Sequence, residues 1–171
     1  MISAVVVALD LILKYLVSAH MAVGQSISLI PGVLRLTYVQ NTGAAFGSFS
    51  EHRWVFMLLS AVMIAFLVWF MAAKRGYAGM VYISMALMLG GGIGNMVDRV
   101  ALGYVIDYVD FCAFPFWTWV FNAADAAICI GVALFAVYLL FFEKKARAAG
   151  KKTFFDEDNP SDGETDGKHE S

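Results

Sequence analysis

Very little in this chain can ionise, bridge or hold a metal. Only 15% of its 171 residues are charged, it has two cysteines, and its three histidines, His20, His52 and His169, stand alone. Two cysteines exclude a disulfide framework: Cys129 lies in an apolar run, where it reads as a small core hydrophobe, and Cys112 lies in a loop. Isolated histidines exclude a metal site of the usual spacing. Internal repeats and phosphate-binding glycine loops are absent, and the cluster Gly90-Gly91-Gly92 with Gly94 reads as close helix packing. Basic residues are scarce at the start of the chain and no small-residue cleavage site follows, which argues against a signal peptide over Ile2–Val17.

What is present is apolar. Hydrophobic residues make up 60% of the chain, well above the roughly half typical of soluble domains, so a membrane protein is expected. Four long runs predict spanning helices at about 2–19, 54–73, 77–97 and 117–142. Lys74 and Arg75 lie between helices two and three, and Lys144, Lys145, Arg147, Lys151 and Lys152 follow helix four, whereas the other side carries only Arg35, Arg53 and Arg99. This asymmetry predicts cytoplasmic termini and outward-facing segments 20–53 and 98–116. Residues 156–171 hold seven acids, one lysine and no aliphatic or aromatic side chain, which predicts a disordered acidic cytoplasmic tail beyond a single membrane domain over 1–155.

The outer segments carry structure of their own. Leu34, Leu36 and Tyr38 alternate with Arg35 and Thr37, a strand signal over 33–39, with turn chemistry at Pro31-Gly32 and Asn41-Thr42-Gly43. A small sheet on the outer membrane surface is expected there. Phe111, Phe114, Phe116, Trp117 and Trp119 predict an aromatic belt where the chain re-enters the bilayer.

Polar side chains concentrate between Gly90 and Asp125, where two apolar runs meet: Asn95, Asp98, Arg99, Asp107, Asp110, Asn122 and Asp125. Such groups are costly at membrane depth, which makes them a functional-site hypothesis. Asp125 precedes Phe142 by seventeen residues, so it sits about 25 Å above the inner end of its helix, just under the outer interface. Asp107 can return to the same level from helix three. Two close carboxylates in a low dielectric come to share a proton. The ionised member then takes a proton from water while its partner donates to a substrate carbonyl, with no metal and no covalent intermediate. The structural alternative keeps Asp107 as a loop residue and Asp125 as a helix N-terminal acid or half of a buried pair. Asn95 and Arg99 share a helix face, as do Asn122 and Asp125, and these groups can hold a substrate backbone or merely cap and snorkel. Asp10 and Lys14, also four apart, read as an ion pair within helix one.

Taken in order, D-L-I-L-K at 10–14, N-T-G-A-A-F at 41–46, G-N-M-V-D-R at 94–99, G-Y-V-I-D-Y at 103–108 and F-N-A-A-D at 121–125 make the chain resemble lipoprotein signal peptidase, or signal peptidase II, a bacterial inner-membrane aspartic peptidase family. The match covers nearly everything up to the basic segment after helix four. It implies an all-α membrane fold of four transmembrane helices, with a small extracytoplasmic β-cradle from the loop after helix one. It implies that Asp107 and Asp125 are the catalytic dyad, that Asn41, Asn95, Arg99 and Asn122 line the site, and that Asp10 and Lys14 are the paired motif of helix one. It further implies cleavage of prolipoproteins before a diacylglyceryl-modified cysteine, at the periplasmic face of the inner membrane. Membrane lipid is the other expected partner. No cofactor, metal or nucleic acid is expected, and the chain is expected to act as a monomer.

Three departures stand out. Gly47 takes the place of a frequent serine after G-A-A-F, Tyr108 that of the usual phenylalanine after the aspartate, and only nine residues precede Asp10, which predicts a shortened or tilted helix one. A small transporter or proton-coupled channel is the competing class. It calls for acids near the midplane and paired halves, whereas here the acids gather at one interface and the halves are unlike. A third reading is a family member that binds lipidated peptides without cutting them.

Overall fold

In the computed structural model, residues 1–43, 53–73, 77–114, 116 and 118–150 are described. Gly47, Lys74, Arg75, Trp117, Lys151, Lys152 and the acidic segment 156–171 lie outside them. Four helices have the length and apolarity to cross a bilayer: α1 (Ile2–His20), α2 (Arg53–Ala73, apolar from Trp54), α3 (Gly79–Ala101) and α4 (Ala123–Val137). The last is prolonged by a π turn at Tyr138–Phe142 and by α5 (Glu143–Ala148) into one span. Four strands complete the described residues: β1 (Ser26–Ile30), β2 (Leu34–Asn41), β3 (Val105–Phe111) and β4 (Val120–Phe121). The protein is a multi-pass membrane protein of four helices with a small antiparallel sheet.

α3 is the central helix, with half of its apolar stretch buried against 11–17% for the other three, and it packs on α1, α2 and α4. Its glycines make this possible. A Cβ on Gly94 would lie 2.5 Å from the Asp10 carboxylate, and one on Gly91 would run into the Ala124 carbonyl oxygen. α4 reciprocates through Gly131, where a Cβ would sit 2.7 Å from the Ser84 carbonyl. Small residues at facing positions let helices approach closely where lipid offers no hydrophobic push between them. Away from these seams the helices present apolar side chains outward, such as Leu9, Leu58, Phe66 and Ile130, as a lipid-facing surface requires. α1 is unusual in what it turns inward: its buried residues are Asp10, Lys14 and Val17, one stripe that is mostly charged.

The sheet has the order β1-β2-β3-β4 with every pair antiparallel. The expected cradle is therefore built from two segments, those after α1 and after α3, not from the loop after helix one alone. β2 pairs with β3 in two stretches, Leu34–Leu36 on Val109–Phe111 and Val39–Asn41 on Val105–Asp107, with an irregularity between them. Gly103, at φ +85°, ends α3 in the left-handed conformation that glycine adopts without strain and turns the chain into β3. Helix four also begins later than Trp117. Val120 and Phe121 are held against Asp110 and Val109 as β4, and Asn122 then caps the helix by accepting from the Asp125 N–H at 2.9 Å. A reciprocal bond from the Asn122 N–H to the Asp125 carboxylate closes a capping box.

The helix seam yields a direct test. Gly91→Ala places a methyl group against the Ala124 backbone, which cannot withdraw without moving the start of α4, and is expected to cost about 1–3 kcal/mol of stability. Thermal unfolding in detergent measures it, with Gly79→Ala, where a Cβ meets open space, as the neutral control.

Candidate active site

Register brings the first aspartate to its neighbours. Asp107 pairs with Val39, so Asn41, two residues along β2, projects from the same face. Its side-chain amide donates to Asp107 Oδ2 at 2.8 Å, and its own Oδ1 accepts from the Gly43 N–H at 2.8 Å, fixing the amide's orientation. The other oxygen, Asp107 Oδ1, accepts from Asn122 Nδ2 at 2.6 Å. Asp107 is buried, at 2% exposure. Burial pushes its carboxyl up to about 6; the Asn41 hydrogen bond opposes that rise and the charge of Asp125 adds to it.

Asp125 is half-buried in the first turn of α4. Its Oδ1 accepts from Asn95 Nδ2 at 2.6 Å and its Oδ2 from the Asn122 N–H at 3.2 Å. Asn122, wholly buried, thus touches both carboxylates, one through its side chain and one through its backbone. The expected convergence of Asp107 and Asp125 rests on this bridge and on the β3–β4 pairing. Arg99 is half-buried one turn further along α3, where its Nη1 donates to the Asn95 carbonyl at 3.3 Å.

Behind the aspartates lies a buried ammonium. Lys14, at 2% exposure, places Nζ 2.8 Å from Asp10 Oδ2, 3.0 Å from Asp98 Oδ2 and 3.0 Å from Asn95 Oδ1. Two carboxylates and one amide oxygen surround the ammonium, the condition under which a buried charge is tolerable. Each acceptor then reaches toward the carboxylates. Asp98 Oδ2 accepts the Ile106 N–H, next to Asp107, at 3.0 Å; Asp10 Oδ1 accepts the Ala124 N–H, next to Asp125, at 3.0 Å; Asn95 holds Asp125 itself.

The expected i,i+4 pair of Asp10 and Lys14 is thus present as half of a larger cluster. Asp98, one of the polar side chains gathered between Gly90 and Asp125, is its second acid. The Asn95/Asp98 spacing places both on one face of α3, a signal that could have joined them to Lys14. Tyr108 also enters: its hydroxyl, buried and pushed up to about 12 by burial, accepts the Ala123 N–H at 3.2 Å. On the outer part of the sheet Arg35 pairs with Asp110, Nη2 at 2.7 Å and Nε at 2.9 Å, with Thr37 Oγ1 donating to the same oxygen at 2.8 Å. That pair was invisible until β2 and β3 were put in register.

The bundle and its small sheet are shared with known membrane enzymes. Two solved structures described as bacterial membrane enzymes by the in meso method superpose with TM-scores of 0.75 and 0.76 at 32% and 33% identity; they cover 89% and 82% of this chain, and 90% and 91% of their own. The lipoprotein signal peptidase of Halothermothrix orenii is 45% identical over 140 residues, 82% of this chain and 93% of its own. That of Listeria monocytogenes serotype 4b is 37% identical over 147 residues, 86% and 96% respectively. The family model for signal peptidase (SPase) II matches residues 2–141. The chain belongs to the signal peptidase II family and is a peptidase.

The cluster behind the site generates its own prediction. Lys14→Met leaves Asp10 and Asp98 buried without their cation and is expected to cost about 3–5 kcal/mol. Thermal melting in detergent checks this. Adding Asp98→Asn should recover part of the loss, because one buried charge goes with it.

Proposed function

We propose that the chain is an aspartic endopeptidase that removes signal peptides from diacylglyceryl-modified prolipoproteins, cutting before the lipidated cysteine. The observation that carries this reading is the Asn122 bridge, which brings Asp107 and Asp125 to one place at one end of the helices. The prolipoprotein substrate follows from the names of the relatives. The lysine and arginine asymmetry of the sequence supports cytoplasmic termini and a site at the outer face of the inner membrane. There the acyl chains of the substrate stay in lipid while the scissile bond meets water. A monomer carries every group named.

In the proposed reaction the half-buried Asp125, ionised, removes a proton from water, and the resulting hydroxide attacks the scissile carbonyl carbon. Asp107, protonated, donates to the carbonyl oxygen as it becomes a hydroxyl of the tetrahedral intermediate. Collapse re-forms the carbonyl, breaks the C–N bond and passes a proton from Asp125 to the departing amine, while Asp107 recovers its own. The amides of Asn41 and Asn122 keep Asp107 aimed, the Asn95 amide aims Asp125, and Arg99 offers a cation for the substrate backbone. Asp10 and Lys14 hold the frame.

Asp107→Asn and Asp125→Asn are each expected to lower kcat/KM on a diacylglyceryl-modified prolipoprotein by roughly a hundredfold or more while the protein still inserts and melts cooperatively. Near-normal turnover by either variant would remove that residue from the dyad. The pH profile carries a sign. The Asp107 acid form dominates below about 6 and is lost above it, so kcat/KM should fall as pH rises through that value, since this ratio reports the free enzyme. A profile flat from mildly acidic to alkaline pH would overturn the assignment of the proton to Asp107.

A further inference from the structure

At the end of the bundle away from the aspartates, α3 and the prolonged α4 leave a cavity of about 240 Å³ between them. Ala78 and Met80 wall it on one side, and Tyr138, Phe142, Lys145 and Ala146 on the other. It borders the packed cluster of Leu67, Phe70, Tyr77, Val81 and Met85. The π turn at Tyr138–Phe142 shapes it, since a wider turn rotates every later residue around the helix axis. The small side chains of Ala78 and Ala146 leave the space unfilled.

Depth and charge indicate the occupant. The span Ala123–Ala148 has 26 residues, which is about 39 Å of helix against a hydrocarbon layer of about 30 Å. With Ala123 just under one interface, the chain leaves hydrocarbon near Glu143. Tyr138 and Phe142 thus line the cavity at acyl-chain depth, and Lys145 stands at its mouth at headgroup depth. Lys144 and Lys145 are exposed and form no ion pair with a described residue, and Glu143, the acid beside them, is turned inward and buried. An apolar slot capped by an uncompensated ammonium matches one molecule, an acyl chain below an anionic phosphate.

We propose that this cavity is a binding site for one anionic phospholipid of the leaflet opposite the aspartates, with its phosphate on Lys145 and an acyl chain against Phe142, Tyr138 and Met80. The site is separate from the carboxylates and needs no part of the peptidase chemistry.

Native mass spectrometry of the full chain, released from detergent with phosphatidylglycerol or phosphatidylcholine of identical acyl chains, tests this. The wild type is expected to keep one phosphatidylglycerol, favoured about fivefold over phosphatidylcholine. Lys145→Gln should abolish the preference while weak retention of both lipids continues. Ala149→Leu, which fills the far wall of the cavity, should lower retention of both. Prolipoprotein cleavage in detergent should stay unchanged in both variants, showing that they fold. Equal retention of the two lipids by the wild type, or a wild-type preference in both variants, would overturn the proposal. So would two other occupants: residues 151–171, if their removal raised lipid retention severalfold, or a second copy, if a dimer peak vanished with Ala149→Leu.

Discussion

One buried ammonium holds the aspartate-bearing end of this protein together. Lys14 draws an acid from its own helix, and an acid and an amide from α3, onto a single nitrogen. None of the four groups could remain at that depth alone, since an ionised side chain in low dielectric demands a partner and full hydrogen bonding. Their mutual need fixes the rotation of α1 against α3. Asp98 Oδ2, already paired with Lys14, also fastens the Ile106 amide, and the second oxygen of Asp10 fastens that of Ala124. Apolar packing holds the other end, where the rings of Phe70 and Tyr77 meet at a tilt with centroids 5.3 Å apart amid a methionine-rich core. The molecule is greasy where it needs only to cohere and polar where groups must be aimed.

Glycine makes that division possible. The polar cluster works only if helix backbones approach to within hydrogen-bonding reach, and Gly91 and Gly94 are the positions where α3 yields that room to Ala124 and Asp10. Asn122 then does two jobs, capping α4 with its side-chain oxygen while its side-chain amide reaches the Asp107 carboxylate and its backbone N–H that of Asp125. The acids differ in surroundings as a result: Asp107 is sunk in the sheet and Asp125 opens to the surface. That difference is what separates an acid from a base in the proposed reaction.

The four helices were legible because an uncharged apolar run of about 20 residues is rarely anything but a membrane span. The strand around Leu34–Tyr38 was legible because it alternates. β3 was not, since Val105–Tyr108 is buried on both faces and a strand covered on both faces shows no alternation. The start of helix four was misplaced because Trp119, Val120 and Phe121 are as apolar as the helix that follows; the cap spacing of Asn122 and Asp125 marked the true boundary. The residues of the site were readable one by one. Their joining was not, because no helical period links Asp107 to Asp125 or Lys14 to Asp98. Those contacts depend on strand register and helix rotation, which a linear pattern does not encode.

The order in which the chain is made gives the bridge at Asn122 a further meaning. Lys14 is among the first residues synthesised, Asn95 and Asp98 follow much later, and Asn122 with Asp125 arrives with the last span. Until that span is seated, the earlier helices hold only one member of the proposed dyad. Competence thus coincides with completed assembly, so a half-made chain threading past other nascent membrane proteins carries no working blade.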